Sequence, residues 1–349
     1  MPRPVGWIVI SVILVMACSA GRAGEPEQDE RVGQIMEVVR TKGWIAYSAR
    51  SDNGTWDLFL SRPDGSRSRN ITNTSNYEEA APRFSRDGKK LLYRQLAGGS
   101  TINHDRWGFQ GRLVIAGPDG ANPAVVDQDG QWSWATWSPD GKQIACLIPR
   151  GIQIVELATG RVVRSMDREG IYQQLFWSPD GQWFCGTANH LGTMWTVARM
   201  NIATGKLNVV HKFQSCTPDW FPDSKHVIFS SRPPGQTASR GYGWTQLWMA
   251  DGEGTGSQLV YGEDGCHVYG GVLSPDGKYV LFTKSLRDGG GAERSGGTMC
   301  LMRLSDAPTI GGESKELREK HLHTKDGPVL ELGQGWEPSW TYEEIGSTQ

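Results

Sequence analysis

Short runs in which apolar and polar residues alternate recur along the chain, each closed by a turn rich in polar residues and glycine. KKLLY, KQIACLI, KHVIF and KYVLFTK are examples, and their period of two is that of strands half buried against a neighbouring layer. Each such run follows one fixed string. FSRDG starts at Phe84, WSPDG at Trp137 and again at Trp177, WFPDS at Trp220 and LSPDG at Leu273. Before the string stands a short apolar strand that ends at the Trp, Phe or Leu. In the turn, Pro presets φ, Asp accepts local backbone hydrogen bonds and Gly supplies a positive φ. A third strand follows (IQIVEL, MWTVARMNI, TQLWMAD, TMCLMRL), then a second small turn (PDGS, PDGA, ATGR, ATGK) and a fourth strand. Four strands with two tight turns make one antiparallel blade. Spacings of roughly forty to fifty residues are those of propeller blades or a similar repeat array.

The repeats resemble those of the TolB-type, WD40-like propeller family, whose blades read WSPDGxxIAF followed by further strands. Five full matches lie between Pro82 and Leu281. A sixth is split. Trp44 to Thr72 supplies second, third and fourth strands, and WEPSW, Trp336 to Trp340, matches the missing first strand. The expected fold is therefore all-β: a six-bladed propeller of four-stranded antiparallel blades, the first blade closed by the C-terminal strand. Such closure removes exposed strand edges. The resemblance covers nearly all of the chain after residue 42. It departs from TolB, which carries an α/β domain ahead of its propeller, where this chain has only about twenty residues. No GxSxG nucleophile elbow is present, so the hydrolase activity of propeller peptidases is not implied. Propellers host many unrelated activities, and the resemblance speaks to fold before function.

Composition changes the picture in three ways. The chain has 349 residues, enough for one propeller, and a formal charge of −2, which implies no global attraction to nucleic acid. Fifteen Trp and 45 Gly fit a turn-rich β array with aromatic residues packed between blades. Residues 1–24 read as an export signal, with Arg3 ahead of an apolar core from Val5 to Ala17. Val15-Met16-Ala17-Cys18 resembles a bacterial lipobox with Cys18 as the acylated residue; cleavage near Ala20 or Ala23 is the competing reading. The chain is thus expected in the periplasm or lipid-anchored at the outer membrane, touching the membrane only through Cys18. Residues 25–42 read as a short amphipathic helix or helical tether that packs on the propeller or spans from the membrane, with Val32, Ile35, Met36, Val38 and Val39 at near-helical spacing, and residues 43–342 as the propeller. Cys146 and Cys185 read as buried small hydrophobes. Cys216 and Cys266 precede first strands of adjacent blades, where pairing stays open in an exported chain.

The repeat grammar sorts the chain onto two faces. Turns between first and second, and between third and fourth strands share one face and are short. Loops entering first strands, and those joining second to third, share the other and include three long ones: Leu96 to Gln110, Ser231 to Thr245 and Ser285 to Thr298. Binding residues concentrate on long loops carried by rigid scaffolds. These loops hold Arg106, Arg232, Arg240, Arg287 and, beside them, His190; guanidinium forks suit carboxylate or phosphate. Four to six residues before each repeat aromatic stand Glu78, Gln131, Gln173, Gln214, His267, Tyr269, Gln334 and Trp336. This ring of amides with aromatic and imidazole groups suits a polar ligand or peptide end. The bland alternative is that such groups bind water and each other.

Two function classes follow. The first is a non-catalytic binding or scaffold module of the cell envelope for a protein, peptide or anionic ligand, needing no cofactor and no metal. The second is a metal-dependent polysaccharide lyase resembling oligogalacturonate lyases, acting on an anionic saccharide. In that pattern two histidines one residue apart precede a repeat. Here Cys266-His267-Val268-Tyr269 offers only His267, and one imidazole makes a weak metal site.

Overall fold

The computed structural model describes residues 25–100, 102, 111–127, 130, 132–189, 191, 195–211, 213–232, 245–263, 265–286, 297–308 and 327–346. Six four-stranded antiparallel sheets are arranged in a ring. Blade two runs through Tyr77–Phe84, Leu91–Ala97, Arg112–Ala116 and Ala124–Val125. Blade three comprises Ser133–Trp137, Gln143–Ile148, Gly151–Glu156 and Arg161–Met166, and blade four Ile171–Trp177, Trp183–Ala188, Thr196–Asn201 and Leu207–His211. Blade five is Ser215–Trp220, His226–Ser231, Gln246–Asp251 and Gln258–Tyr261, and blade six Cys266–Leu273, Tyr279–Leu286, Thr298–Arg303 and Leu330–Gln334. Blade one takes Trp44–Arg50, Trp56–Ser61 and Arg69–Asn70 from the N-terminal side and Trp336–Thr341 from the C-terminal side. That closing strand pairs Trp340 with Ile45 and Ser339 with Ala46, as the split sixth repeat requires.

Both faces of each blade are buried, so the apolar core is divided into layers between neighbouring blades. Leu58 and Leu60 of blade one, for example, pack on Leu91 and Tyr93 of blade two. Phe229 and Trp248 of blade five meet Cys185 and Val197 of blade four. The repeat tryptophans Trp137, Trp220 and Trp340 are 4–7% exposed and belong to these layers, as their alternation predicts. The SPDG turns are self-contained. Ser138 Oγ donates to Asp140 Oδ1 at 2.6 Å while accepting the Gln143 N–H at 2.9 Å, and Asp140 also accepts the Lys142 N–H at 3.1 Å. The serine's hydrogen bond holds the Asp140 carboxyl below its usual range. No disulfide joins the five described cysteines, Cys216 and Cys266 included.

Helix α1 (Glu25–Val39) does not hang free as a tether. Ile35 and Val39 are fully buried among Tyr279, Leu281 and Leu301 of blade six and Ile45 and Trp340 of blade one. Arg31 pairs with Asp306 at 3.6 Å, Arg40 with Asp64 at 3.5 Å, and Lys42 with Asp276 at 3.7 Å. Asp64, Asp276 and Asp306 all follow strands that end on the short-turn face. The helix therefore lies on that face across the seam where the ring closes. Among the described residues no helix is long and apolar enough to cross a membrane.

Candidate functional site at the propeller axis

The first strand of every blade is innermost, and each carries the same irregularity. Three residues before the repeat aromatic, the backbone enters the left-handed region: Ala81 (φ 55°), Trp134 (45°), Gln174 (57°), Thr217 (49°), Gly270 (67°) and Glu337 (50°). The strand registers slip at the same place, between Ala80 and Arg83 or Gln173 and Phe176, for instance. Each inner strand thus has a β-bulge, which bends it and re-aims its side chains. Five of the six left-handed residues are not glycine, a conformation that costs roughly 1–2 kcal/mol each and persists where surroundings enforce it.

The bulges aim Trp134, Gln174, Thr217 and Glu337 into the channel, beside Arg83, Tyr269 and Trp336. These side chains close the axis. The remaining cavity is about 30 Å³, room for roughly two waters. Arg83 and Glu337 line this cavity, and Asp219 and Arg94 are buried near them. Burial pushes the Asp219 carboxyl up to about 6, against its hydrogen bonds from the Leu273 and Trp220 N–H groups and the nearby Arg83. Burial lowers Arg94 to about 10, against the pull of Glu337 and Asp127. It lowers Arg83 as well, opposed by Glu337 and Asp219.

The residues four and six places before the repeat aromatics are also buried, and most are held by internal bonds. Glu78 accepts the N–H groups of Trp56 at 2.6 Å and Gly99 at 2.9 Å, pinning two loops. Gln173 donates to the Tyr172 hydroxyl at 2.9 Å. The backbone carbonyl of Gln214 accepts from Arg232 N–H at 3.1 Å. Thr245 Oγ1 lies 2.8 Å from His267 Nδ1 and donates to Val268 O at 2.6 Å. Because the hydroxyl proton goes to Val268, Nδ1 carries its own proton, and the lone pair of a neutral His267 is on Nε2. His267 stacks on Tyr269 at 4.6 Å, and Trp336, 1% exposed, packs 5.9 Å from Trp56. Arg232, 5% exposed, lies 5.5 Å from the Trp195 ring.

Gln334 stands apart from this group. It is exposed and pairs with Thr298 in the outer strand of blade six, because the chain does not turn inward until Gly335. Arg106, Gln131, His190, Arg240, Arg287 and Cys18 lie outside the described residues, as do the middles of the three long loops. Among the described residues no group of three or more His, Cys, Asp or Glu side chains is placed to hold a metal. Sequence reasoning missed Arg83, Trp134, Gln174, Thr217, Asp219 and Glu337. The signal was present at offsets of one and three residues from the repeat aromatic, but a strict period of two points those side chains elsewhere.

No protein-family model and no curated protein matches the chain. Among solved structures, TolB from Acinetobacter baumannii aligns over 89% of this chain and 70% of its own, with a TM-score of 0.61 at 17% identity. The fold is that of the TolB propellers. A putative TolB from Agrobacterium tumefaciens aligns over 84% of this chain and 90% of its own, with a TM-score of 0.56 at 19% identity. An oligogalacturonate lyase in complex with manganese covers 76% of this chain and 83% of its own, but with a TM-score of 0.44 at 16% identity. That likeness carries no argument about activity. The ring places the described strand ends that bound the long connections on the face opposite the short turns.

Proposed function

We propose that the chain is an exported envelope propeller whose long-loop face binds a protein or peptide segment. One observation carries this reading: the cavity that Trp134, Tyr269 and Trp336 line at the axis is about 30 Å³. That cavity is too small for a saccharide or cofactor, which favours recognition at a surface. The long-loop face is where the chain departs from its repeat. It also presents rim residues of the kind that dominate protein interfaces, with Arg50 5.1 Å from the Trp56 ring and Arg112 4.9 Å from the Tyr77 ring. The lyase reading gains nothing from the described residues, since His267 belongs to no group of three or more His, Cys, Asp or Glu side chains among them that could hold a metal.

Site-specific photo-crosslinking in the bacterial envelope tests the proposal. A crosslinker at Asp52 or Tyr172, on the long-loop face, is expected to give discrete adducts. The same group at Lys142 or Lys206, on the short-turn face, is expected to give none. Adducts confined to the short-turn positions, or absent from all four, would overturn the assignment.

A further inference from the structure

We propose a phosphate-binding cleft on the short-turn face, between the end of α1 and the turn that joins the third and fourth strands of blade one. The cleft is about 440 Å³ and is lined by Arg40, Arg62, Ser66 and Arg67, with Asp64 and Glu344. That volume lies within the usual range for small-ligand sites, about 300–1,000 Å³. Arg69 adjoins it. With Arg69, four guanidiniums stand beside three carboxylates, Asp64, Glu344 and Glu37, the last paired with Arg40 at 3.1 Å, an excess of one positive charge.

The guanidiniums are held in place before any ligand arrives. Arg62 and Arg69 both stack on Trp44, at 4.2 and 4.8 Å from the ring, and Trp44 is 2% exposed. Arg62 also donates to Gly43 O at 3.0 Å and in a two-pronged pair to Glu344 at 2.9 Å. Arg40 is tied to Asp64 at 3.5 Å. Fixing donors in this way removes part of the ordering cost of binding. Arg67 differs. It sits on a left-handed backbone (φ 56°), its side chain is exposed, and among the described residues its guanidinium makes no hydrogen bond or ion pair. It is the donor left to close on a ligand.

Planar forks on several sides suit the tetrahedral oxygens of a phosphate group better than a single carboxylate. The C-terminal end of α1 opposes an anion through its dipole, a term of about 0.3–1 kcal/mol at an exposed site. Arg40 and Lys42, immediately after the helix, offset it. The same chemistry is offered by a free phosphate-bearing solute and by a phospholipid headgroup.

The test is titration of the full chain with inorganic phosphate at constant ionic strength, followed by thermal unfolding. Phosphate is expected to raise Tm saturably, as a ligand of the native state does. The paired substitution Arg67→Gln and Arg69→Gln is expected to weaken binding at least ten-fold, whereas Arg161→Gln, on the equivalent turn of blade three, leaves it unchanged. Arg67→Gln alone removes no internal contact, so it keeps the test valid if the pair unfolds the turn. Sedimentation with phosphatidylglycerol vesicles, but not phosphatidylcholine vesicles, lost on Arg67→Gln, assigns the headgroup. Phosphate binding without sedimentation assigns a free solute. A Tm that responds to phosphate no more than to chloride, or an Arg67→Gln variant that binds as the parent does, overturns the cleft.

Discussion

Asp219 ties blade five to blade six, and its position recurs in every other blade. One residue before the repeat aromatic, Thr136 accepts the Trp177 N–H at 3.3 Å, Asp219 the Leu273 N–H at 3.3 Å and Ser339 the Phe84 N–H at 3.0 Å. In between, the Trp137 and Trp220 indoles donate to the Arg83 and Phe176 carbonyls at 2.9 and 3.3 Å. Of the three side-chain staples only Asp219 titrates. Its folded pKa, about 6, lies above the ordinary 3.8 because of burial. The folded state thus holds the proton more tightly than the unfolded chain does. Its contribution to stability is full below about pH 4, falls as pH rises toward 6, and is flat beyond. Asp219→Asn, which keeps a carbonyl oxygen for Leu273, is expected to gain stability relative to the parent between those limits. Urea unfolding at pH 4 and pH 6.5 measures this, and an unchanging difference between variant and parent would refute it. The staples escaped sequence reading for a physical reason. A bulge inserts one residue into the strand, so the alternation that points Glu78, Gln173 and Tyr269 toward the channel loses its phase three residues before the aromatic, where the axis is lined.

At the scale of elements, the strands and turns were readable because propensity, period and turn chemistry agree. WEPSW was identifiable as a first strand although it stands far from its partners, since only the string and the missing edge were needed. Gln334 misled because its offset matches Glu78, yet it precedes a blade entered from the outer strand of another without a linker. The helix was readable as a helix, and packing on the propeller was one of its two readings, but its place on the ring was not. Val32, Ile35, Met36, Val38 and Val39 define an amphipathic stretch, but its docking partners come from blades six and one, far along the chain. The structure buries Ile35 and Val39 fully and leaves Met36 and Val38 exposed. Ile35→Ala is therefore expected to cost about 2–5 kcal/mol, the range for truncating a buried aliphatic side chain. A free tether would show no loss. Denaturant unfolding separates the two, with Val38→Ala as the exposed control that changes little.

At the scale of the molecule, the position of α1 gives the ring an orientation. Arg31, Arg40 and Lys42 reach acidic residues of the short-turn face, so α1 lies on that side. An acyl anchor at Cys18 would be joined to α1 by a segment of at most about 3.5 Å per residue. The short-turn face, with its arginine cleft, would then look toward the bilayer, and the long loops toward the periplasm, where a partner can reach them. The proposed binding face and the proposed anchor are thus geometrically compatible, which neither the repeat nor the lipobox-like string implies alone. The anchor has its own test. Expressed in a bacterial host, the parent chain is expected to incorporate labelled palmitate and to sediment with membranes. Cys18→Ser is expected to lose the label and to release the chain to the soluble envelope fraction. An unlabelled, soluble parent would remove the anchor, together with the orientation built on it. The fold and the closed axis would stand, since both rest on residues after Lys42.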